Sequence, residues 1–496
     1  MEGMDTSPAG AQLVLVAGAT GYVGRHLIPA LLSGGCRVRC LARDPARLEG
    51  QSWFSQVEVV RGDVAERGSL DPALEGVSTA YYLVHNMTSG RSYAARDLLA
   101  AGNFASAASQ AGVAHIVYLG GLADPQASIG QHLASRIQTG EVLRQGSVPV
   151  TEFRASIVIG PGATAFELIR YLTEQLPLLP GPHWVSNHVQ PIAIQNVVDY
   201  LLAALPSPAN QHSPVYEIGG PDVMTFAETM LTYARLRGLK RRMLVLPTLP
   251  LRLMAYFAAR LTPVPESMAC PLIDGMRGDS VVQDDAARRD FPHIRLIPYP
   301  VAVTAALGQL TPDQLDPAAL ASSASSRTLK QAGFLIDRRQ LSLDLPAEAV
   351  WRAVAGLGGK RGWLYLDGLW RLRGLLDRLL GGPGMRGRPD GEVLHLGSLV
   401  DFYTVDALEP GRYLRLRADL KAPGLGWMEW RVTPRPEGGT TLVQTAYFAP
   451  KGLPGFAYWY LLGPVHRMVF GGLIRRLARK AVELTRGERI STNRTN

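Results

Sequence analysis

Two groups of residues have the types and spacing to do chemistry. The first is the stretch Val16-Ala17-Gly18-Ala19-Thr20-Gly21-Tyr22-Val23-Gly24-Arg25, where glycines recur every third residue directly behind the apolar run Leu13 to Ala17. A turn with so little side chain lets backbone approach a ligand closely, and the free N–H groups of a helix that starts there attract phosphate. The second is His132 with Arg136, in "IGQHLASRIQTGEVL". Residues four apart share one helical face, and an imidazole can carry a proton near neutrality, although a neighbouring guanidinium depresses its pKa. Each has a plainer reading: glycines serve tight turns with no ligand present, and a His/Arg pair is commonly a solvated helix surface. The flanking elements must decide.

Leu13 to Ala17 reads as a buried strand, and Tyr22 to Ser33 has helical spacing through Val23, Leu27, Ile28 and Leu31. Further strand candidates are Arg37 to Arg43, Val57 to Asp63, Thr79 to His85 and His115 to Gly121, with an amphipathic helix over Tyr93 to Ala111. Strands that alternate with helices and are nearly continuous in apolar residues predict a parallel sheet covered on both faces. The glycines open its first βα unit, as a dinucleotide fingerprint requires. An acidic residue at the end of the second strand suits a ribose 2′-hydroxyl, and an arginine suits a 2′-phosphate. Arg43 stands there with Asp44 one step later, which favours NADP(H) and leaves NAD open.

Gly18-Ala19-Thr20-Gly21-Tyr22-Val23-Gly24, followed by Gly62-Asp63-Val64 after the third strand, resembles the extended and atypical short-chain dehydrogenase/reductase superfamily, and within it the NmrA-like, NAD(P)H-binding branch, over about residues 12 to 311. The resemblance implies that Gly18, Gly24 and Thr20 to Val23, hence Thr20, Gly21, Tyr22 and Val23, hold the cofactor phosphates. It implies too that Asp63 and Val64 lie by the adenine and that Leu83, Val84 and His85 line the cofactor. Typical members use a serine after the fifth strand and a Tyr-x-x-x-Lys on the next helix. Here the fifth strand ends in Gly120-Gly121, and the comparable helical spacing is His132 to Arg136, which become the candidate catalytic pair.

The chain has 496 residues, 47% of them apolar, and should form more than one domain. Residues 1–311 are expected to be the NAD(P)-binding Rossmann-type, doubly wound parallel-sheet domain with a small substrate-side subdomain. Within it Val150 to Gly160 reads as a strand, and Asn196 to Leu205 and Thr225 to Arg237 as helices. The broken apolar run Leu244 to Pro265 is too interrupted to span a bilayer and is expected to wall a hydrophobic pocket. Residues 312–330, rich in small and polar types with Pro312 and Pro317, read as a linker.

Residues 331–490 then predict one strand (Phe334 to Leu345), helices over Pro346 to Leu357 and Trp363 to Leu380, and a meander. Its strands are Glu392–Val400, Tyr403–Leu408, Tyr413–Leu420, Trp427–Pro434 and Gly439–Phe448, and a long helix closes it over about Ala457 to Arg486. That order resembles the α+β helix-grip, SRPBCC or START-like domain, which implies an apolar cavity under the last helix. Trp363, Trp370, Trp427, Trp430, Tyr458, Trp459 and Tyr460 fit either such a cavity or an ordinary core. The last helix carries an apolar stripe, Val465, Met468, Val469, Leu473 and Leu477, beside Arg467, Arg475, Arg476, Arg479 and Lys480. It either packs on its own sheet or rests on an anionic membrane, making peripheral membrane contact the second expectation.

"GLGGKRG" at Gly356 to Gly362 fails as a P-loop, with Val354 in place of the first glycine and Arg361 in place of Ser or Thr. Cys36, Cys40 and Cys270 lack the companions a zinc site needs and read as reduced thiols, and the start "MEGMDTSPAG" has no signal-type apolar core, so a cytoplasmic protein is expected. The net charge of +9 comes without a basic and aromatic nucleic-acid motif, so no nucleic-acid partner is expected. Two function classes follow. One is an NAD(P)(H)-dependent oxidoreductase or epimerase-like enzyme acting on an apolar small molecule; the other is a non-catalytic NADP(H)-responsive sensor or hydrophobic-ligand-binding protein.

Overall fold

A computed structural model describes residues 12–85, 93–123, 130–205, 213–308, 310–315, 320, 328–388 and 393–495. The chain divides into two compact units, Met1–Ala321 and Ser322–Asn496.

The first unit is built on a parallel sheet. Its strands are β1 (Leu13–Ala17), β2 (Arg37–Ala42), β3 (Glu58–Arg61), β4 (Thr79–Tyr82), β5 (His115–Gly121), β6 (Val150–Ala155) and β7 (Val215–Ile218), in the order β7-β6-β5-β4-β1-β2-β3. Every pairing is parallel. The order reverses between β1 and β4, and a ligand crevice belongs at such a switch point, beyond the strands' carboxyl ends. Strand side chains alternate faces, so Val14 and Val16 pack with Leu27, Ile28 and Leu31 of α1 (Tyr22–Ser33), whereas Leu15 and Ala17 pack with Ala100, Ala101 and Phe104 of α2 (Tyr93–Gln110). Each such buried aliphatic side chain contributes about 1.5–3 kcal/mol, and the two cores fix the sheet between helical layers.

Next along the chain come α3 (Gln131–Arg144), α4 (Thr164–Gln175), α5 (Ile194–Ala203), α6 (Phe226–Leu236), α7 (Leu251–Leu261) and α8 (Glu266–Asp274). The stretch expected as one strand over Val150 to Gly160 is β6 plus a two-residue strand, Val158–Ile159, which pairs with Ile192–Ala193. The run Leu244 to Pro265 departs from expectation. It forms the end of a strand (Arg242–Leu246) and α7, with Leu244, Val245, Leu253, Tyr256 and Phe257 facing outward, and it contributes no side chain to the pocket lined by His85 and His132.

The second unit contains an antiparallel sheet of β8 (Thr328–Gln331), β9 (Phe334–Leu343), β10 (Leu399–Val400), β11 (Tyr403–Glu409), β12 (Tyr413–Ala418), β13 (Gly424–Pro434) and β14 (Thr440–Pro450). Their order is β8-β9-β14-β13-β12-β11-β10. Its helices are α9 (Ala347–Ala355), α10 (Asp367–Leu379), α11 (Gly452–Leu461) and α12 (Gly463–Thr495). Strand β8 lies in the stretch expected as linker. A two-residue turn joins it to β9, with Ala332 at φ 46° and Gly333 at φ 87°, the geometry that matches the twist of a hairpin. The single terminal helix expected over Ala457 to Arg486 is two, parted at Leu462, because Pro464 lacks the N–H to continue α11 and suits the first turn of a new helix. Val469, Leu473 and Leu477 of the expected stripe are buried within the unit, while Val465 and Met468 are exposed. Of the expected strand Glu392 to Val400 only Leu399–Val400 is strand; residues 393–398 are loop and turn, and Glu392 lies outside the described residues.

Candidate functional site: a glycine cradle and a histidine relay

The cradle follows from what each glycine meets. Gly18 has φ 102°, and a Cβ there would lie 2.8 Å from the carbonyl carbon and oxygen of Leu83, whose N–H donates to Ala17 O at 2.8 Å. A Cβ on Gly24 would strike Gly18 O. The protein's own packing therefore requires glycine at both. Gly21 is different: a Cβ would meet only Gly18 O, at 3.1 Å, and its φ of −77° is open to any residue. The room in front of Gly21 is not used by the chain. No side chain caps the start of α1, and no acidic residue stands in its first turn. Uncapped N–H groups behind an open glycine are the donor set that a pyrophosphate takes.

The other expected cofactor residues gather around this turn. Leu41 pairs with Ala17, so Arg43, exposed just past β2, stands beside the turn that follows β1, and no hydrogen bond or ion pair engages it among the described residues. Arg37 and Arg39, also on β2, are held by Glu58 at 2.6 and 2.9 Å. Asp63 is partly buried, with Oδ1 accepting from Ala65 N at 3.0 Å; the Val64 side chain is in the core, and its carbonyl accepts from Asn103 Nδ2 at 3.4 Å. Leu83, Val84 and His85 follow β4, and Thr20, Tyr22 and Val23 continue the glycine turn. Tyr22, Val23 and His85 also line a pocket of about 360 Å³.

That pocket opens beyond the ends of β4, β5 and β6. Leu119, Leu122, Leu133, Ile157, Leu168 and Ile273 give it an apolar wall, and His132 and Arg136 supply polar groups. The face of α3 turned to the sheet comprises His132, Ser135, Thr139, Gly140 and Leu143. Arg144, near the far end of the helix, forms an ion pair with the fully buried Glu152 of β6, and Gly140 makes room for that carboxylate. Gly121 ends β5 for a related reason, since a Cβ there would lie 2.9 Å from Leu133 Cδ2. The position that usually supplies a serine is thus the contact that brings α3 close.

His132 is buried, contrary to the surface reading, and its partner is not Arg136. Its Nδ1 lies 3.0 Å from Nε2 of His85, and Nδ1 of His85 lies 3.1 Å from Oδ2 of the buried Asp97 on α2. A carboxylate can only accept, so His85 donates from Nδ1 and keeps a lone pair on Nε2. His132 then donates from Nδ1 and keeps its lone pair on Nε2. Burial, then the neighbouring His85 and Arg136, lower the His132 pKa to about 3; burial likewise lowers that of His85. Both rings rest neutral at physiological pH, and His132 keeps an unprotonated nitrogen on a residue that lines the pocket. Arg136 donates to Leu119 O and lies 5.7 Å from the centroid of the Tyr118 ring, while the Tyr118 hydroxyl donates to Arg136 O at 2.8 Å. Those contacts tie the guanidinium to the end of β5 at the pocket. Asp97 escaped sequence reading, although a carboxylate in phase with the buried positions 100, 101 and 104 of an Ala-rich helix was a usable signal.

In the second unit Trp363 and Trp430 are core, and Trp370, Trp427, Tyr458 and Trp459 line a cavity of about 470 Å³; Tyr460 is exposed. Among the described residues no group of three His, Cys, Asp or Glu side chains could hold a metal ion.

A switch-point crevice, a glycine turn with uncapped N–H groups and a polar relay beside an apolar pocket form one candidate site in the first unit. Residues 10–197 match the NmrA-like family, and residues 331–473 match a protein family of unknown function, DUF2867. Relatives include a (4-alkanoyl-5-oxo-2,5-dihydrofuran-3-yl)methyl phosphate reductase of Streptomyces griseus, 28% identical over 233 residues, spanning 46% of this chain and 74% of the relative. A ceramide reductase of Caulobacter vibrioides is 28% identical over 241 residues, spanning 47% of this chain and 74% of the relative. Among solved structures, Citrobacter sp. triphenylmethane reductase complexed with NADP(H) is similar at a TM-score of 0.48 and 20% identity, over 59% of this chain and 99% of that one. Over residues 10–197 the chain is thus similar to the NmrA-like family, and the two relatives named are reductases. The family matched by the second unit brings no ligand class, and the helix-grip assignment gains no support from it.

Proposed function

We propose that the protein is an NADP(H)-dependent oxidoreductase that interconverts a carbonyl and an alcohol on an apolar small molecule. The observation that carries this is the Asp97–His85–His132 relay ending in the apolar pocket beyond β4 and β5. The cofactor phosphates would lie on the N–H groups behind Gly21, the 2′-phosphate by Arg43, and the nicotinamide toward His85. When bound, the nicotinamide supplies hydride chemistry. The chain's part is the proton. In the oxidative direction Nε2 of His132 takes the hydroxyl proton of the substrate, while Nδ1 passes its own to His85 and His85 passes one to Asp97. In the reductive direction the path runs backward: a protonated Asp97 returns its proton to His85 Nδ1, His85 Nε2 passes one to His132 Nδ1, and His132 Nε2 gives its proton to the oxygen. Arg136 adds a fixed positive charge that stabilises the oxygen while it is anionic. The apolar walls exclude water and select a hydrophobic body. Ceramide, named for one relative, is of that character, and the phosphate ester named for another carries an alkanoyl group.

A second reading, a cofactor-holding sensor, is favoured by the glycines and His132 that replace the usual Ser and Tyr. The unpaired thiols Cys36, Cys40 and Cys270 fit a reducing compartment. NADPH deuterated at C4, incubated with long-chain ketones and aldehydes, separates the readings: the oxidoreductase leaves one deuterium on the carbinol carbon by mass spectrometry, and a sensor leaves none across the panel.

A further inference from the structure

The mouth of the second unit's cavity is apolar on its outside as well. Leu369, Leu372, Leu376 and Leu380 along α10, and Val465 at the start of α12, all line the cavity, yet they remain 37, 50, 48, 65 and 40% exposed. Around them stand Leu375 and Leu379 on α10 and Leu461 and Met468 at the α11–α12 corner, exposed by 55, 75, 78 and 46%. Isolated exposed leucines need no explanation, but a contiguous face of them marks an interaction surface. A short helix whose outward side is leucine has nothing within this unit to cover it.

The charges exposed beside this face are chiefly basic: Arg378, Lys421 and Arg467, with Arg371 paired to Asp367. Lys421 Nζ lies 3.6 Å from the Cβ position of Gly381, directly after the last leucines of the helix. The acids of α10 are already engaged: Asp367 holds Arg371 at 2.8 Å, and the fully buried Asp377 accepts from the backbone N–H of Gly384 and Lys421. From Lys451 to Lys480, a stretch that contains all of α11 and the first half of α12, there is no Asp or Glu. A second copy of the chain would bring the same cations to the contact. An anionic bilayer brings phosphates to the basic rim and acyl chains to the leucines, the pairing of signals that gives stable peripheral attachment. No described helix is long and apolar enough to cross a membrane, so the contact is peripheral.

We propose that the second unit docks on an anionic lipid surface through the leucine face of α10 and the α11–α12 corner, with the mouth of its cavity against the acyl region. This moves the membrane contact from the stripe of the terminal helix, whose Leu473 and Leu477 are buried, to the cavity mouth. It stands whether or not the first unit is an oxidoreductase.

The test is flotation of the full chain with phosphatidylcholine vesicles that contain or lack phosphatidylglycerol. Wild type floats with the anionic vesicles, at least tenfold more than with the neutral ones, and floats less as salt rises, because screening weakens the rim's attraction. Leu375→Glu with Leu379→Glu, at two solvent-facing positions, lowers partitioning at least tenfold while thermal unfolding and NADPH binding stay as in wild type. Wild type that ignores anionic vesicles overturns the proposal. So does a double variant that floats as well as wild type. Sedimentation supplies the third contrary result: a wild-type dimer that the double variant turns into a monomer, with neither floating, would make the face a contact between copies.

Discussion

Nδ1 of His132 lies 3.0 Å from Nε2 of His85, which joins two residues 47 positions apart into one proton path ending on Asp97. The path has a direction because only its far end is a carboxylate. Asp97 sets which nitrogen of each ring carries hydrogen, and so leaves a lone pair on Nε2 of His132, a residue that lines the pocket.

Asp97→Asn tests that polarity. The asparagine amide can donate to His85, which would reverse both tautomers and turn His132 Nε2 from acceptor to donor. Turnover in alcohol oxidation, which needs that acceptor, should fall by about 10²–10⁴, the usual share of general acid–base catalysis. KM and NADPH affinity should stay near wild type, because Asp97 acts through His85. A loss confined to KM or to thermal stability would reduce Asp97 to a packing role.

Gly21 and Gly24 should behave differently. Gly21→Val should abolish NADPH binding by calorimetry and leave the unfolding midpoint near wild type, since its Cβ meets only Gly18 O at 3.1 Å. Gly24→Val should instead destabilise the fold by about 1–3 kcal/mol, the range for overpacking. Binding that survives Gly21→Val would place the cofactor elsewhere.

Arg43 is the test of cofactor choice. NADPH should bind more tightly than NADH, and Arg43→Asp should erase or reverse the preference, since a charge-assisted contact to a 2′-phosphate is worth about 1.5–3 kcal/mol. Equal affinities in wild type would remove Arg43 from the site and return the choice to Asp44.

How far the sequence carried these conclusions varied with the reach of the interaction. Strand β5, His115 to Gly121, is legible to the residue because all its positions are buried and nothing polar interrupts it. The glycine turn was legible because its reason is local: Gly18 and Gly24 answer to atoms a few residues away or on the neighbouring strand. Helix α3 hid its inward face, since His132, Ser135, Thr139 and Gly140 give no hydrophobic period, and the His85 contact is not written in spacing. The run Leu244 to Pro265 misled in the opposite sense, because apolar composition cannot tell an inward side chain from an outward one. Strand β8 was short and half polar, and it is held by pairing with β9 rather than by its own pattern.

Burial also sets an acid limit. The folded-state pKa values of His115, His132 and His466 are lowered to about 4, 3 and 4, each chiefly by burial. An unfolded histidine titrates near 6.5, so between about pH 6.5 and 4 the unfolded chain binds protons that the folded chain refuses, and stability falls as pH falls. Denaturant midpoints should be level above about pH 7 and decline below about 6.5, with a shallower decline in His115→Gln. A flat profile from pH 7 to 5 would contradict the buried neutral state of these rings.

The most direct test of the account is turnover at His132. With NADPH and a long-chain ketone or aldehyde that the wild type reduces, His132→Ala should lower kcat by about 10²–10⁴ while the NADPH dissociation constant changes less than about twofold. Unchanged turnover in His132→Ala, with cofactor still bound, would contradict the proton relay.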